Sequence, residues 1–208
     1  MLLVAGLGNP GPGYARNRHN IGFMAADAIV RRHRFGPFRS KFDGELSQGD
    51  ICGRKILILK PMTYMNESGR SIGAALRFFK LSPADLVVFH DEIDLAPGRI
   101  RVKNGGGIAG HNGLRSIRDH SGPDFRRVRL GVGHPGGKEQ VKGHVLQDFG
   151  KSDDPWLDKM LDAIAEFFPL IVGDDDLAFM SKVAQAVNPP KPKSTAPDKL
   201  AGEENGNG

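Results

Sequence analysis

The chain opens with a short hydrophobic run that stops at a cluster of glycines and prolines. Residues 1–5 are apolar, which is long enough for a buried strand. Residues 6–13 contain glycines and prolines that cannot continue a strand, so the chain must turn there. Apolar residues then recur with helical spacing over residues 21–34. This start predicts a strand, an irregular loop and a helix. In open α/β sheets, such loops at the carboxyl ends of strands form binding sites.

The rest of the chain alternates between strand and helix patterns. Short apolar or alternating runs predict further strands at residues 42–48, 51–59, 86–89, 99–103 and 127–132. Gly49 and Asp50 indicate a hairpin turn between the first two of these strands. Helical spacing predicts helices from about residue 68, over 114–119, over 154–172, and from 174–176 to about 187. Asp154 is the expected N-cap of the third of these helices, with Pro155 at its first position. An α/β fold class follows.

Composition divides the 208 residues into a globular part and a tail. Apolar residues make up 39% of the chain and charged residues 25%, which is ordinary for a soluble globular protein. Residues 1–187 are therefore expected to form a single domain. Residues 188–208 are rich in Pro, Lys, Ser, Glu and Gly and almost lack apolar side chains, so a disordered C-terminal tail without chemistry is expected there.

Cysteine count and hydropathy predict a cytoplasmic protein. Cys52 is the only cysteine, which excludes an internal disulfide and suits a reducing compartment. No apolar run approaches the ~18 residues of a membrane span. Residues 1–5 are too short for the apolar part of a signal peptide and lack a basic segment before it.

Basic residues are concentrated in residues 99–138. The whole chain has a formal net charge of +5, yet this segment contains nine basic residues and only two acidic ones, Asp119 and Asp124. A segment with this excess suggests a polyanionic partner such as a nucleic acid. A basic face that is merely solvated is the alternative, and the charge count alone does not separate the two.

The first loop also contains a nucleotide-binding motif. Gly6, Gly8 and Gly11 form a G-x-G-x-x-G sequence directly after a predicted strand. However, Pro10 and Pro12 remove two backbone donors from the turn that would hold a pyrophosphate. No second strand ending in an acidic residue follows at about 20 residues, where the ribose partner belongs. A nucleotide-dependent enzyme is thus the weakest of the functions considered.

Four loops at predicted strand ends carry polar residues that could form one site. They contribute Asn9 and His19, then Tyr64, Met65 and Asn66, then His90 and Asp91, and finally His111 and Asn112. If the loops converge, they bring together an imidazole base, a carboxylate and several amides. The chain lacks a G-x-S-x-G nucleophile motif and lacks zinc-type H-E-x-x-H or paired-cysteine spacing. The chemistry expected is attack by water with help from a general base. Each residue could instead serve a turn or a helix cap.

Six short motifs stand out in order along the chain. They are GLGNPG (6–11), RHNIG (18–22), KPMTYMNESG (60–69), HDEIDL (90–95), GGGIAGHNG (105–113) and RLGVGHP (129–135). Together they resemble bacterial peptidyl-tRNA hydrolases, over about residues 1–187. The resemblance implies a monomeric α/β protein in which helices surround a mixed, twisted sheet, with neither a metal nor another cofactor. It also implies hydrolysis of the ester between peptide and tRNA, with the acceptor stem and CCA end of peptidyl-tRNA as the bound parts.

The resemblance also assigns roles to individual residues. His19 matches the family's general base, and Asp91 matches the carboxylate that supports it. Asn9 matches the position that separates peptidyl-tRNA from aminoacyl-tRNA with a free amine. The other positions that match substrate contacts are Tyr14, Tyr64, Met65, Asn66 and Asn112. The positions that match tRNA contacts are Lys103 and Arg129, for the 5′-phosphate, and Lys138.

The departures from the family pattern are small. Ile108 and Ala109 interrupt the glycine-rich loop and could change its flexibility, and the long tail lies outside the catalytic motifs. The main alternative function is a non-enzymatic RNA-binding protein that uses the basic segment at residues 99–138. The presence of both His19 and Asp91 argues against that alternative.

Overall fold

Seven strands form one mixed sheet within residues 1–189, the part of the chain described by the computed structural model. Their order across the sheet is β2-β3-β4-β1-β5-β7-β6. The strands are β1 (Leu2–Gly6), β2 (Arg39–Lys41), β3 (Gly44–Ile51), β4 (Arg54–Pro61), β5 (Leu86–Glu92), β6 (Ile100–Asn104) and β7 (Arg126–Gly131). The predicted α/β fold with a mixed sheet is confirmed. The predicted disorder of residues 188–208 falls almost entirely outside the described residues.

The four central strands are parallel, and this arrangement creates the site. Strand β1 pairs in parallel with β4 and β5, and β5 pairs in parallel with β7. Strands β2, β3 and β6 add antiparallel pairs at the two sides of the sheet. Because β1 and β5 are buried along their whole length, β1 and residues 86–89 of β5 are continuous apolar runs rather than alternating ones. The loops that follow β4, β1, β5 and β7 therefore leave from the same edge.

Helices cover both faces of the sheet. They are α1 (Ile21–Arg32), α2 (Ser68–Phe79), α3 (Asn112–Ser121), α4 (Val141–Val145), α5 (Asp154–Val172) and α6 (Asp176–Val187). One core packs α1, α5 and α6 against the sheet, and a second core packs α2 and α3 against the opposite face. Alternate residues of β1, β4 and β5 enter the two cores: in β1, Leu2 and Val4 enter the first, while Leu3 and Ala5 enter the second. No helix within residues 1–189 combines the length and hydrophobicity needed to span a bilayer.

The glycines of the first loop permit close packing of α1 on β1. A Cβ atom on Gly6 would lie 2.2 Å from the carbonyl oxygen of Gly22, and one on Gly8 would lie 2.7 Å from the Phe23 ring. The amide of Leu7 donates to the Phe89 carbonyl oxygen at 3.0 Å. Backbone donors of this loop are thus used by neighbouring strands and side chains. The G-x-G-x-x-G sequence serves packing here, which agrees with its rejection as a nucleotide motif.

The predicted turn at Gly49 and Asp50 is wrong. Strand β3 continues to Ile51, and the hairpin turn lies at Cys52 and Gly53, both of which have positive φ. Gly49 instead pairs with Ile56 inside the ladder. A Cβ atom on Gly49 would lie 2.4 Å from the Phe35 ring, so the glycine accommodates a packed aromatic side chain rather than a turn.

Two helix starts and two short elements also differ from the predictions. Helix α3 begins at Asn112, two residues before the predicted start, because the His111 side chain caps it. The N-cap of α5 is Asp153 rather than Asp154, and its carboxylate accepts from the amide of Gly150 at 3.0 Å. Strand β2 and helix α4 were not predicted, since runs of three and five residues carry too little periodicity.

Candidate active site

A cleft of about 1250 Å³ opens at the edge of the sheet where the parallel strands end. The loops after β1, β4 and β5 and the start of α3 form its polar floor. Apolar walls come from the glycine-rich loop before α3 and from α4 with the residue that follows it. The residues predicted from the sequence that line it are Asn9, His19, Tyr64, Met65, Asn66, His90, Asp91, His111, Asn112 and Lys138. The expected convergence of polar loops is therefore observed.

His19 is held in a 3₁₀ turn that leads directly into α1. The turn spans Arg18–Asn20. Its backbone is hydrogen-bonded to the segment after α4, because the amide of Arg18 donates to the carbonyl oxygen of Gln147 at 3.0 Å. The Nδ1 atom of His19 lies 2.8 Å from Oδ1 of Asp91, which is buried one residue before the end of strand β5. A carboxylate in this position accepts the Nδ1 proton, so the neutral ring keeps a lone pair on Nε2. His19 can therefore act as a base in the cleft.

Neighbouring charges and burial shift the pKa values of His19 and Asp91 in opposite directions. Burial by itself lowers the pKa of His19, but the charge and hydrogen bond of Asp91 outweigh it, so the pKa is raised above its usual value. For Asp91, burial raises the pKa, yet the two neighbouring imidazoles lower it well below its usual range. Asp91 is thus ionised throughout the neutral pH range, and it stabilises the imidazolium form of His19.

A second imidazole, that of His111, contacts the same carboxylate oxygen. Its Nε2 atom lies 3.0 Å from Oδ1 of Asp91. Its Nδ1 atom accepts hydrogen bonds from the backbone amides of Gly113 at 3.1 Å and Leu114 at 3.4 Å. Because Nδ1 is an acceptor, the proton of neutral His111 must be on Nε2, and His111 donates to Asp91. The carboxylate thus receives two N–H donors.

This tautomer also bears on metal binding. His19, Asp91 and His111 place one ligating atom each within 4.8 Å of one another. A metal ion would need the lone pair of His111 Nε2, but the two helix amides already occupy the acceptor Nδ1 and force the proton onto Nε2. The donor set therefore suits proton transfer better than metal coordination.

His90 forms an uncharged wall beside this group. Burial and the neighbouring His111 lower the pKa of His90 to about 3. Its Nδ1 atom lies 2.8 Å from the backbone oxygen of Asp91, to which it donates, and its ring packs edge-on against His111 with centroids 5.0 Å apart. A neutral His90 adds no positive charge next to His19, so the raised pKa of His19 depends on Asp91.

Asn9 is fixed on three sides. Its backbone amide donates to Oδ1 of Asn20 at 2.9 Å, and Nδ2 of Asn20 donates to its carbonyl oxygen at 2.9 Å. Its side-chain Oδ1 accepts from the amide of Met65 at 2.8 Å. The side-chain NH₂ group is therefore the part of Asn9 that remains to meet a ligand, as a hydrogen-bond donor to a carbonyl oxygen.

The two residues predicted to bind the 5′-phosphate lie beside the cleft rather than in it. Lys103 and Arg129 occupy neighbouring strands β6 and β7, and neither lines the cleft. Nε of Arg129 donates to Oε2 of the buried Glu92 at 2.8 Å, which leaves its two terminal nitrogens for other partners. Tyr14 lies in the first loop, half-buried, and likewise does not line the cleft.

Comparison with known proteins places the chain in a family. A family model described as peptidyl-tRNA hydrolase matches residues 3–193. The peptidyl-tRNA hydrolase of Parvibaculum lavamentivorans is 57% identical over 202 residues, covering 95% of this chain and 98% of that protein. The Agrobacterium fabrum enzyme of the same name is 56% identical, covering 97% and 84%. This chain belongs to the peptidyl-tRNA hydrolase family. The crystal structure of the Acinetobacter baumannii peptidyl-tRNA hydrolase superposes with a TM-score of 0.83 at 40% identity, covering 88% of this chain and 94% of that one.

Family membership confirms the resemblance drawn from the six motifs, but sequence reasoning assigned no role to three residues that orient others at this cleft. His111 and Asn20 orient Asp91 and Asn9, and Glu92 orients Arg129. The position of His111 immediately before a predicted helix was the available signal, because N-cap residues use their side chains as acceptors. The roles of Asn20 and Glu92 depend on contacts across the fold and had no local signal.

Proposed function

We propose that this member of the peptidyl-tRNA hydrolase family cleaves the ester bond between peptide and tRNA with His19 as general base. The observation that carries the proposal is the contact between His19 Nδ1 and Asp91, which leaves Nε2 as the basic nitrogen in an open cleft. Nε2 removes a proton from water while the water oxygen attacks the ester carbonyl carbon. The tetrahedral intermediate then collapses, the ribose oxygen leaves, and the proton on Nε2 passes to that oxygen.

Asp91 and His111 act on His19 in this mechanism. The carboxylate holds the imidazole with Nε2 directed to water and stabilises the cation formed when the proton is taken. The N–H of His111 holds the carboxylate in place from the other side. Since the ring centroids of His19 and His111 are 5.0 Å apart, His111 also limits how far His19 can rotate.

Amide groups around the cleft are proposed to recognise the substrate's peptide end. The NH₂ group of Asn9 donates to the carbonyl oxygen that a blocked amino group carries and a free amine lacks. Polar donors that are already held rigidly give discrimination of this kind. Further substrate contacts are assigned to Tyr14, Tyr64, Met65, Asn66 and Asn112. Tyr14 would need to meet the substrate outside the cleft.

The basic residues near the cleft are proposed to bind the acceptor stem and CCA end of tRNA. Lys103 and Arg129 hold the 5′-phosphate, with Arg129 presenting its terminal nitrogens because Glu92 engages Nε. Lys138, at the mouth of the cleft, makes a further phosphate contact. We also propose that the protein is a cytoplasmic monomer, since its substrate arises in the cytoplasm and the proposed catalytic residues all come from one chain.

The test compares hydrolysis of an N-acylated aminoacyl-tRNA with that of its free-amine counterpart in the presence of a metal chelator. The wild-type protein is expected to cleave only the N-acylated substrate.

His19→Ala should lose about 10²–10⁴-fold in kcat, the usual contribution of general-base catalysis, while still binding deacylated tRNA. His120→Ala is the matched control, because His120 lies on α3 outside the cleft. Near-normal kcat in His19→Ala, or a trapped covalent peptidyl-enzyme, would exclude the mechanism; tRNA binding without hydrolysis would favour the RNA-binding alternative.

A further inference from the structure

The glycine-rich loop at residues 105–110 is held beside β7 by a backbone hydrogen bond, from the amide of Gly105 to the carbonyl oxygen of Phe125 at 3.1 Å, and by one buried side chain, that of Arg127. Nη1 of Arg127 donates to the carbonyl oxygen of Gly107 at 2.6 Å, and Nη2 donates to the carbonyl oxygen of Gly105. Arg127 belongs to β7 and is only 3% exposed. Both hydrogen bonds come from a charged donor, which is the stronger class in proteins. Arg127 is therefore well placed to determine the path of the loop.

The path of this loop decides whether α3 reaches the active site. Strand β6 is antiparallel to β7, and Asn104 pairs with Arg126 at the amino end of β7. The chain thus leaves β6 at the edge opposite the cleft and must cross the face of the sheet to arrive at His111. The loop contacts Arg127 on the way, and three of its residues, Ile108 to Gly110, line the cleft.

The end of the loop carries two residues of the site. The amide of His111 donates to the carbonyl oxygen of Ile108 at 2.9 Å, so the imidazole that bonds Asp91 is continuous with the loop. Asn112 follows immediately and lines the cleft. A displacement of the loop would thus move His111 and Asn112 together.

The charges around Arg127 argue against the idea that its only role is to stabilise the fold. It is buried beside two other cations: Lys103 is its partner across the ladder, and Arg129 lies two residues further along the same strand. The nearby carboxylate of Glu92 is engaged by Arg129. The Nε atom of Arg127 has no partner in the described residues. Burial of a guanidinium among like charges is unfavourable; the charge of Glu92 offsets part of this cost, and the two loop carbonyls are the groups that accept its hydrogen bonds.

We propose that Arg127 is a positioning residue for the hydrolysis reaction, which acts by anchoring the glycine-rich loop and thereby the start of α3. The inference rests on the proposed function, because it assigns Arg127 an effect on turnover. It assigns the three basic residues of this region different tasks: Lys103 and Arg129 face the tRNA phosphate, whereas Arg127 faces the protein's own backbone.

The neighbouring arginine provides a matched control. Arg126 is also buried on β7, at 8% exposure, but its side chain bonds Asp174 at 2.9 Å, Asp176 at 3.1 Å and the carbonyl oxygen of Ile171 at 2.7 Å. It therefore joins the strand to the α5–α6 corner and has no contact with the loop. Arg126→Met removes a comparable buried cation and comparable hydrogen bonds without touching the cleft.

The experiment measures hydrogen exchange in the free protein together with kinetics for Arg127→Met, Arg127→Lys and Arg126→Met. In Arg127→Met, exchange at residues 105–111 should accelerate and kcat should fall, each by about tenfold or more, the factor expected for loss of a charge-assisted hydrogen bond. Arg127→Lys keeps the charge and one donor group, so its kcat should be intermediate and its affinity for deacylated tRNA unchanged. Arg126→Met should accelerate exchange near residues 171–176 and leave kcat within about twofold at a temperature where it is folded.

Three results would overturn the proposal. Unchanged exchange at residues 105–111 in Arg127→Met would show that the loop is not anchored there. Faster exchange with unaltered kcat would show that loop order does not matter for turnover. Equal losses of kcat in Arg127→Met and Arg126→Met would indicate a general loss of stability. Failure of the proposed function would be seen separately, as absence of hydrolysis by the wild-type protein, while the exchange measurement would still report on the anchor.

Discussion

Substitution of His111 separates two hydrogen-bonding functions of a single imidazole. Nδ1 caps helix α3 through the amide of Gly113, and Nε2 donates to the ionised carboxylate of Asp91. His111→Ala removes both functions. His111→Asn keeps a side-chain acceptor that suits an N-cap but is too short to reach Asp91, so it removes only the second.

The expected magnitudes follow from those two contacts. Loss of an N-cap reduces the free energy of unfolding by about 1 kcal/mol, and loss of a hydrogen bond to a charged group by about 1.5–3 kcal/mol. The His111 side chain is only 9% exposed, so water cannot readily replace either contact. His111→Ala should therefore reduce the free energy of unfolding by about 2.5–4 kcal/mol, and His111→Asn by about 1.5–3 kcal/mol.

The same substitution should change the pH profile. With one donor gone, the charge of Asp91 is less neutralised and acts more strongly on His19, so the pKa of His19 should rise further. Only neutral His19 can accept a proton from water. The acid limb of the kcat profile should therefore move to higher pH in His111→Asn, with little change in the plateau.

The assays are urea denaturation and the pH dependence of single-turnover hydrolysis of N-acylated aminoacyl-tRNA. His120→Asn is the control, because His120 lies on the same helix and bonds the carbonyl oxygen of Ser116 at 2.8 Å, away from the cleft. Wild-type stability in His111→Asn would refute the assigned hydrogen bond to Asp91. An acid limb that stays in place or moves to lower pH would refute the electrostatic argument.

Three further predictions concern the other proposed roles. Asp91→Asn removes the negative charge that outweighs the effect of burial on His19, so the pKa of His19 should fall, the acid limb of the kcat profile should move to lower pH, and kcat should decrease. An acid limb that does not move would mean that another group titrates. Asn9→Asp keeps an acceptor for the Met65 amide but loses its donor, so selectivity against free aminoacyl-tRNA should fall while thermal stability is retained. Lys103→Ala or Arg129→Ala should raise KM for tRNA substrates and reduce the slope of log binding constant against log salt concentration by about 1, while hydrolysis of small acyl esters stays unchanged. Equal losses of activity on both kinds of substrate would exclude a phosphate-binding role.

Local patterns were sufficient for most strands and helices of this protein. Buried strands such as β1 and the first four residues of β5 are continuous apolar runs, and helices such as α5 show an apolar stripe, so their positions depend on adjacent residues. The hairpin turn was misplaced because Gly49 makes room for Phe35, a contact that no local pattern contains. Elements of three to five residues were missed for lack of periodicity.

Parts of the site could also be predicted from the sequence. Asn9 and Asp91 follow or end parallel strands, so a rule about strand ends places them correctly. The same rule placed His111 at the site for a reason that proved wrong. Strand β6 is antiparallel and ends at the opposite edge, and His111 arrives only because the glycine-rich loop crosses the sheet.

The three arginines of β7 show most clearly which properties can be predicted from the sequence and which depend on the tertiary structure. In the sequence they are one basic run, and their charge predicts a polyanionic partner. In the structure Arg126 binds the α5–α6 corner, Arg127 binds the glycine-rich loop, and Arg129 binds Glu92. Charge is a property of each residue and can be counted along the chain. The group that each charge meets depends on which face of the strand it occupies and on what the rest of the chain packs there, and those contacts exist only once the tertiary structure has formed.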